Sequence, residues 1–215
     1  GKVFRSPPVL VMAVVYFLLK PTRYAILFWG PVIASERIAS DSFALAATLP
    51  AAFEAAGLVA PIAIGFVSDR LFQARRFPAC VLSLLLLSVV LLLFGPLTSS
   101  GSSGGMLVAF FLIGFFLYGP DSMVSATAAV DFGTKKGAGS AAGLINGCGS
   151  FGQILGVALP GYLIAWFPVA DTTLMLFYGF AAAALVASLL LIPLWNQVPS
   201  TGRITAVQAR PSVEP

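Results

Sequence analysis

Four ionisable residues stand inside strongly apolar stretches: Lys20, Arg23, Glu54 and Asp121. Lys20 and Arg23 lie in YFLLKPTRYAILFWGP, with Pro21 between them. A cation at the centre of a bilayer costs about 2.5–3.5 kcal/mol on insertion scales. Three residues apart on a helix, the two share a face, and they repel each other unless an anion lies near. Arginine offers a planar fork to phosphate or carboxylate, and lysine adds a compact point charge. The chemistry such a pair supports is anion binding at membrane depth. Glu54 could be the resident anion of an empty site, replaced by a substrate anion in the loaded one. Asp121 either lines the same path or is wetted from the cytoplasmic end. The plainer reading is a buried ion pair that only locks helices together.

The elements that must position these groups follow from composition. Hydrophobic residues make up 59% of the 215 and charged residues 9%, and mean hydropathy is +0.97. A soluble domain carries about 25% charged residues, so this chain has too few to cover a water-facing surface. It reads as an all-α membrane protein. About 20 apolar residues cross a bilayer as a helix. Six stretches qualify: Val9–Ala34, Phe43–Val67, Pro78–Leu97, Met106–Val130, Gly137–Trp166 and Thr172–Trp195. Residues 1–198 form this six-span unit, and the polar stretch 199–215 reads as a disordered cytoplasmic tail. The chain opens on Gly1 and is apolar by Pro8, a start expected of a cut inside a longer protein.

Charge sorts the connecting loops. Lys2, Arg5, Arg70, Arg75, Arg76, Lys135, Lys136, Arg203 and Arg210 fall on one side; the opposite loops hold Arg37. Positive-inside bias then places both termini in the cytoplasm, as an even number of spans requires. The net charge of +4 is modest and scattered, which gives nucleic acid no basic patch to bind.

Other features qualify the site. Pro21 removes a backbone hydrogen bond and loosens the helix beside the two cations, or serves packing alone. Tyr24 and Trp29 line a polar cavity or pack. The span GAGSAAGLINGCGSFGQILG repeats small residues at Gly139, Gly143 and Gly147 and again at Gly152 and Gly156, a spacing that lets a neighbouring helix approach closely. Asn146 is its mid-span polar side chain with reach to a ligand. Cys80 and Cys148 read as small core residues. Histidine is absent, so no His-based triad, zinc site or imidazole relay can be built, and no nucleophile–base pair, metal cluster or cofactor motif supports an enzyme.

The stretch GFVSDRLFQARR resembles the loop motif of the major facilitator superfamily, with Gly65, Asp69, Arg70, Arg75 and Arg76 at the matching positions. The loop is longer than the common form and lacks its central glycine. Asp69 can complement a helix N-terminus and the arginines a helix C-terminus, which together would latch the cytoplasmic side in one state. RYAILFWGP, FEAAG, GFVSDRLF, GFFLYGP and KKGAGSAAGLINGCGSFGQILG follow one another in an order that resembles the C-terminal half of the organophosphate:phosphate antiporter family.

The resemblance implies one half of a twelve-helix fold, with an N-terminal six-helix half as partner. It implies a phosphate site with one arginine from the first span of each half, here Arg23, and assigns Glu54 to an acidic position. Hexose-phosphate members carry Asp and Lys where this chain has Ala142 and Ile145, which leans towards glycerol-3-phosphate or another small ester. Lys20, Pro21 and Asp121 depart from the bacterial glycerol-phosphate pattern. The implied function is exchange of a small phosphate ester for inorganic phosphate across a bilayer, in a bacterial inner membrane, with Arg23, Lys20, Tyr24, Glu54 and Asn146 at the substrate. A sugar-phosphate sensor of the same family and a proton-coupled carrier of another anion are the rival readings.

Overall fold

The computed structural model describes residues 6–38, 43–73, 75–130, 138–167 and 169–197, with no strand among them. Lys2, Arg5, Lys135, Lys136, Arg203, Arg210 and the 199–215 tail lie outside the described residues. The helices are α1 (Pro7–Arg37), α2 (Phe43–Thr48), α3 (Ala51–Leu71), α4 (Arg76–Leu92), α5 (Phe94–Thr98), α6 (Ser103–Val130), α7 (Ala138–Ile164) and α8 (Val169–Leu191), which runs into a 3-10 turn at Ile192–Leu194.

Five of these are long and apolar enough to cross a membrane, α2 and α3 counting as one unit over Ala44–Leu71. The sixth apolar helix, α4, has 17 residues and is extended to Thr98 by α5. Leu93 separates the two just ahead of Gly95 and Pro96, the residues least able to continue a helix. The 31 residues of α1 give about 46 Å of helix at 1.5 Å per residue, more than the apolar thickness of a bilayer, about 30 Å.

Three helix pairs build the bundle: α1 with α7, α3 with α6, and α4 with α8. Prolines inside helices decide several contacts. Pro120 has no N–H, so the Phe116 carbonyl loses its helical partner; Ser83 of α4 donates to that carbonyl at 2.9 Å. Pro21 frees the Phe17 carbonyl of α1 in the same way. Gly152 of α7 lies against it so closely that a Cβ there would overlap that oxygen, and a Cβ on Gly156 would overlap the carbonyl of Pro21. Pro21 thus sits where α1 and α7 approach most closely, and α1 runs through it as one helix.

Between α4 and α8 two serines cross-link the backbones, Ser88 to the Ala181 carbonyl at 2.9 Å and Ser188 to the Val81 carbonyl at 3.1 Å. Such bonds average about 0.6 kcal/mol in a membrane protein. Phe94 and Phe177 stack at 3.8 Å between ring centroids in the core. The outward faces are apolar instead of polar: Leu58, Ile62 and Phe66 on α3, and Phe151, Ile154 and Tyr162 on α7, are at least 60% exposed. This inverted pattern suits hydrocarbon as solvent. Cys80 is buried and Cys148 half-buried, both as free thiols.

Candidate functional site

The first span places Lys20 and Arg23 one turn apart on α1, facing α6. Lys20 is buried and Arg23 half-buried. Both converge on a single carboxylate. Lys20 Nζ lies 3.3 Å from Asp121 Oδ1, and Arg23 Nη1 donates to Asp121 Oδ2 at 3.0 Å. The Asp121 side chain is 11% exposed. A carboxylate taken out of water loses several kcal/mol of solvation, which its ion pairs must offset; two cations around one anion do so here.

The counter-ion is therefore Asp121, where the sequence alone favours Glu54. The reason is geometric. Asp121 follows Pro120 on α6, the helix that packs against both α1 and α3. Glu54 stands in the first turn of α3, exposed, and forms no ion pair among the described residues. It instead accepts a hydrogen bond from the Tyr118 hydroxyl at 2.6 Å. Tyr118 in turn offers its ring face to the Arg23 guanidinium, 4.6 Å from the ring centroid. Lys20 lies 4.4 Å from the Tyr16 ring and 5.7 Å from that of Tyr24. Three tyrosines thus flank the two cations with the negative faces of their rings.

Of the residues expected at the substrate, Lys20, Arg23 and Tyr24 come together, and Glu54 joins them through Tyr118. Asn146 does not join this network: it is exposed on α7, and its amide donates to the Ala142 carbonyl of its own helix at 3.0 Å. Sequence reasoning misses Tyr118, although it lies three residues before Asp121 and shares its helix face. Trp29 packs: its indole N–H donates to the Val157 carbonyl of α7 at 3.0 Å. The two glycine stripes of α7 part company. Gly152 and Gly156 carry the α1 contact, whereas at Gly139, Gly143 and Gly147 a Cβ would meet nothing within 4 Å among the described residues.

The loop motif closes on its own bundle. Ser68 donates to the Arg75 carbonyl at 3.1 Å, and the Arg75 guanidinium reaches Asn196 at 3.4 Å. Arg70 lies over the Phe66 ring at 5.1 Å. At Gln73 the backbone takes φ 53°, a left-handed conformation that glycine adopts at lower cost; this is the loop in which the common motif has a glycine. Asp69 and Arg76 form no ion pair among the described residues. With Gly65, Ser68, Ser122 and Met123 they line a cleft of about 290 Å³.

Two basic residues held by one acid, in a helical bundle with apolar outer faces, form a site able to bind an anion. The profile of the Major Facilitator Superfamily matches residues 1–157. This chain belongs to the Major Facilitator Superfamily. Among curated proteins it is 32% identical over 198 residues to the membrane sensor protein UhpC of Escherichia coli strain K12, which covers 90% of this chain and 43% of that protein. It is 33% identical over 154 residues to the glycerol-3-phosphate transporter of Bacillus subtilis, 71% of this chain and 32% of that protein. Sugar phosphate exchanger 3 of Bos taurus is 29% identical over 157 residues, 70% of this chain and 31% of that one. The superfamily chain described here thus spans less than half the length of these relatives. Their names are those of the organophosphate:phosphate antiporter family that the motifs resemble, whose members are not enzymes.

Proposed function

We propose that this chain is the C-terminal half of a carrier that exchanges a small phosphate ester, glycerol-3-phosphate or one of similar size, for inorganic phosphate by alternating access. The observation that carries the reading is the pairing of Lys20 and Arg23 with one carboxylate: the site holds a resident anion that a phosphate can replace. Arg23 would grip phosphate with its fork, Lys20 would add charge, and Tyr24 would assist. Glu54, held by Tyr118, would face the ester portion, and Asn146 would meet it from α7. A matching N-terminal six-helix half would supply the opposite wall and a second arginine, and the loaded site would rock between its two openings. Gly65, Asp69, Arg70, Arg75 and Arg76 would latch one side, with Asp69 and Arg76 at the cleft between α3, α4 and α6. In this reading both termini are cytoplasmic and the membrane is a bacterial inner membrane.

A second reading, sensing in place of carriage, is favoured by the 32% identity to a protein named a membrane sensor. Liposomes loaded with phosphate and reconstituted with the full-length protein that carries this chain separate the two. Uptake of labelled glycerol-3-phosphate above empty liposomes supports the carrier. Binding of the ester without exchange supports the sensor.

A further inference from the structure

The Asp121 carboxylate has a second consequence, which rests on the phosphate-site reading above. We propose that Asp121 is the proton acceptor of the site: a phosphate dianion takes over Lys20 and Arg23 only as Asp121 takes up a proton, so that ester and proton bind together.

The geometry sets up this exchange. Asp121, in a buried position, pairs with Lys20 Nζ at 3.3 Å and with Arg23 Nη1 at 3.0 Å. Its Oδ1 is buried against Lys20 Nζ, with the Tyr16 hydroxyl as a further neighbour of the carboxylate. When phosphate draws both cations away, that carboxylate is left buried beside a dianion. A buried anion with no cation beside it bears the cost of its lost solvation, and a proton from water removes that charge. Charge counting agrees. Lys20 and Arg23 are balanced by Asp121 and Glu54; a bound dianion brings the cluster to −2, and one proton returns it to −1.

The groups that face Asp121 leave it as the acceptor. From α1 come Tyr16, Lys20 and Arg23. From α3 comes Glu54, which is exposed and keeps its Tyr118 hydrogen bond at 2.6 Å, so phosphate deprives it of no partner. On α4, Cys80, whose sulfur lies 3.7 Å from that of Met123, and Arg76, which lines the cleft beside Met123, form no ion pair with Asp121 among the described residues. The described part of α7 contributes no acid or base beyond Cys148 and Tyr162. Ser122 and Met123, the next residues of α6, line the 290 Å³ cleft that also holds Asp69 and Arg76. The step is a proton transfer from water to a carboxylate oxygen, with two ion pairs exchanged and no redox change.

Titration calorimetry on the full-length protein tests it, with glycerol-3-phosphate as ligand and two buffers of different ionisation enthalpy. Near pH 8 a phosphate monoester is a dianion, its second pKa being about 6. Wild type is expected to take up about one proton per ester bound, and its affinity to fall about tenfold per pH unit above pH 7.5, the slope of one linked proton. Asp121→Asn is expected to take up none and to bind with affinity independent of pH over that range. Binding by wild type without proton uptake overturns the proposal, as does a slope retained in the variant. Should Asp121→Asn not fold, wild type still overturns the proposal if it takes up no proton, and Glu54→Gln overturns it if the slope is lost there. If neither the ester nor inorganic phosphate binds wild type, the phosphate-site reading fails first and takes the proton with it.

Discussion

Arg23 on the first helix and Asp121 on the sixth, 98 residues apart, are joined by a 3.0 Å hydrogen bond, and Lys20 shares the same carboxylate. One acid pairs directly with two bases, and each member of the cluster can be tested residue by residue.

Removing the shared acid should be far worse than removing one base. Asp121→Ala leaves two cations without a partner, and breaking a buried pair costs about 3–5 kcal/mol. Arg23 is 26% exposed at its side chain, so a value near the lower end is expected. Lys20→Met leaves a one-to-one pair and should cost under about 1 kcal/mol, within the usual range of a tolerated substitution. Thermal unfolding in detergent would order the two variants; equal stability would remove Asp121 from its place as common counter-ion.

Arg23→Lys keeps the charge and loses the fork. Affinity for glycerol-3-phosphate should drop about tenfold or more, the scale of one charge-assisted hydrogen bond of about 1.5–3 kcal/mol. Equilibrium binding to the full-length protein measures this, and an unchanged Kd would take Arg23 out of the site.

Tyr118 has two separable functions. Tyr118→Phe loses the hydrogen bond to Glu54 but keeps a ring beneath Arg23, and because Glu54 is exposed the cost should be about 1 kcal/mol. Tyr118→Ala loses both, along with buried aromatic area, and should cost about 3 kcal/mol or more. Similar melting temperatures for the two variants would deny the ring any part in supporting Arg23.

The two acids should answer differently to pH. Glu54→Gln keeps an acceptor for Tyr118, and whatever its affinity, the tenfold fall per pH unit expected of wild type should persist. Asp121→Asn should abolish that fall. A flattened profile in Glu54→Gln would move the proton from α6 to α3.

Gly152→Val should unseat α7 from α1, since a Cβ there meets the Phe17 carbonyl and the backbone cannot yield cheaply. A loss of about 1–3 kcal/mol is expected from such overpacking. Gly143→Ala, whose position is open, should leave melting unchanged. A comparable loss at both positions would mean that the two stripes serve one interface.

Composition alone dictated a membrane bundle, because 9% charged residues cannot clothe a folded chain in water. The apolar runs then marked the spans, and the quoted motifs marked the superfamily to which residues 1–157 match. The cost of charge in hydrocarbon singled out Lys20, Arg23, Glu54 and Asp121 as a set, since each is legible from its own neighbours in sequence. Which acid serves the two bases was not legible. Helical period tells that Lys20 and Arg23 share a face, but not which helix that face meets, and pairing follows from how six helices pack. Only the packing of α6 against both α1 and α3 decided that Asp121 binds the cations while Glu54 turns to Tyr118. The glycines divide in the same way: their spacing is local, but whether a stripe touches a neighbour depends on the rotation of α7 about its own axis, which contacts with α1 fix.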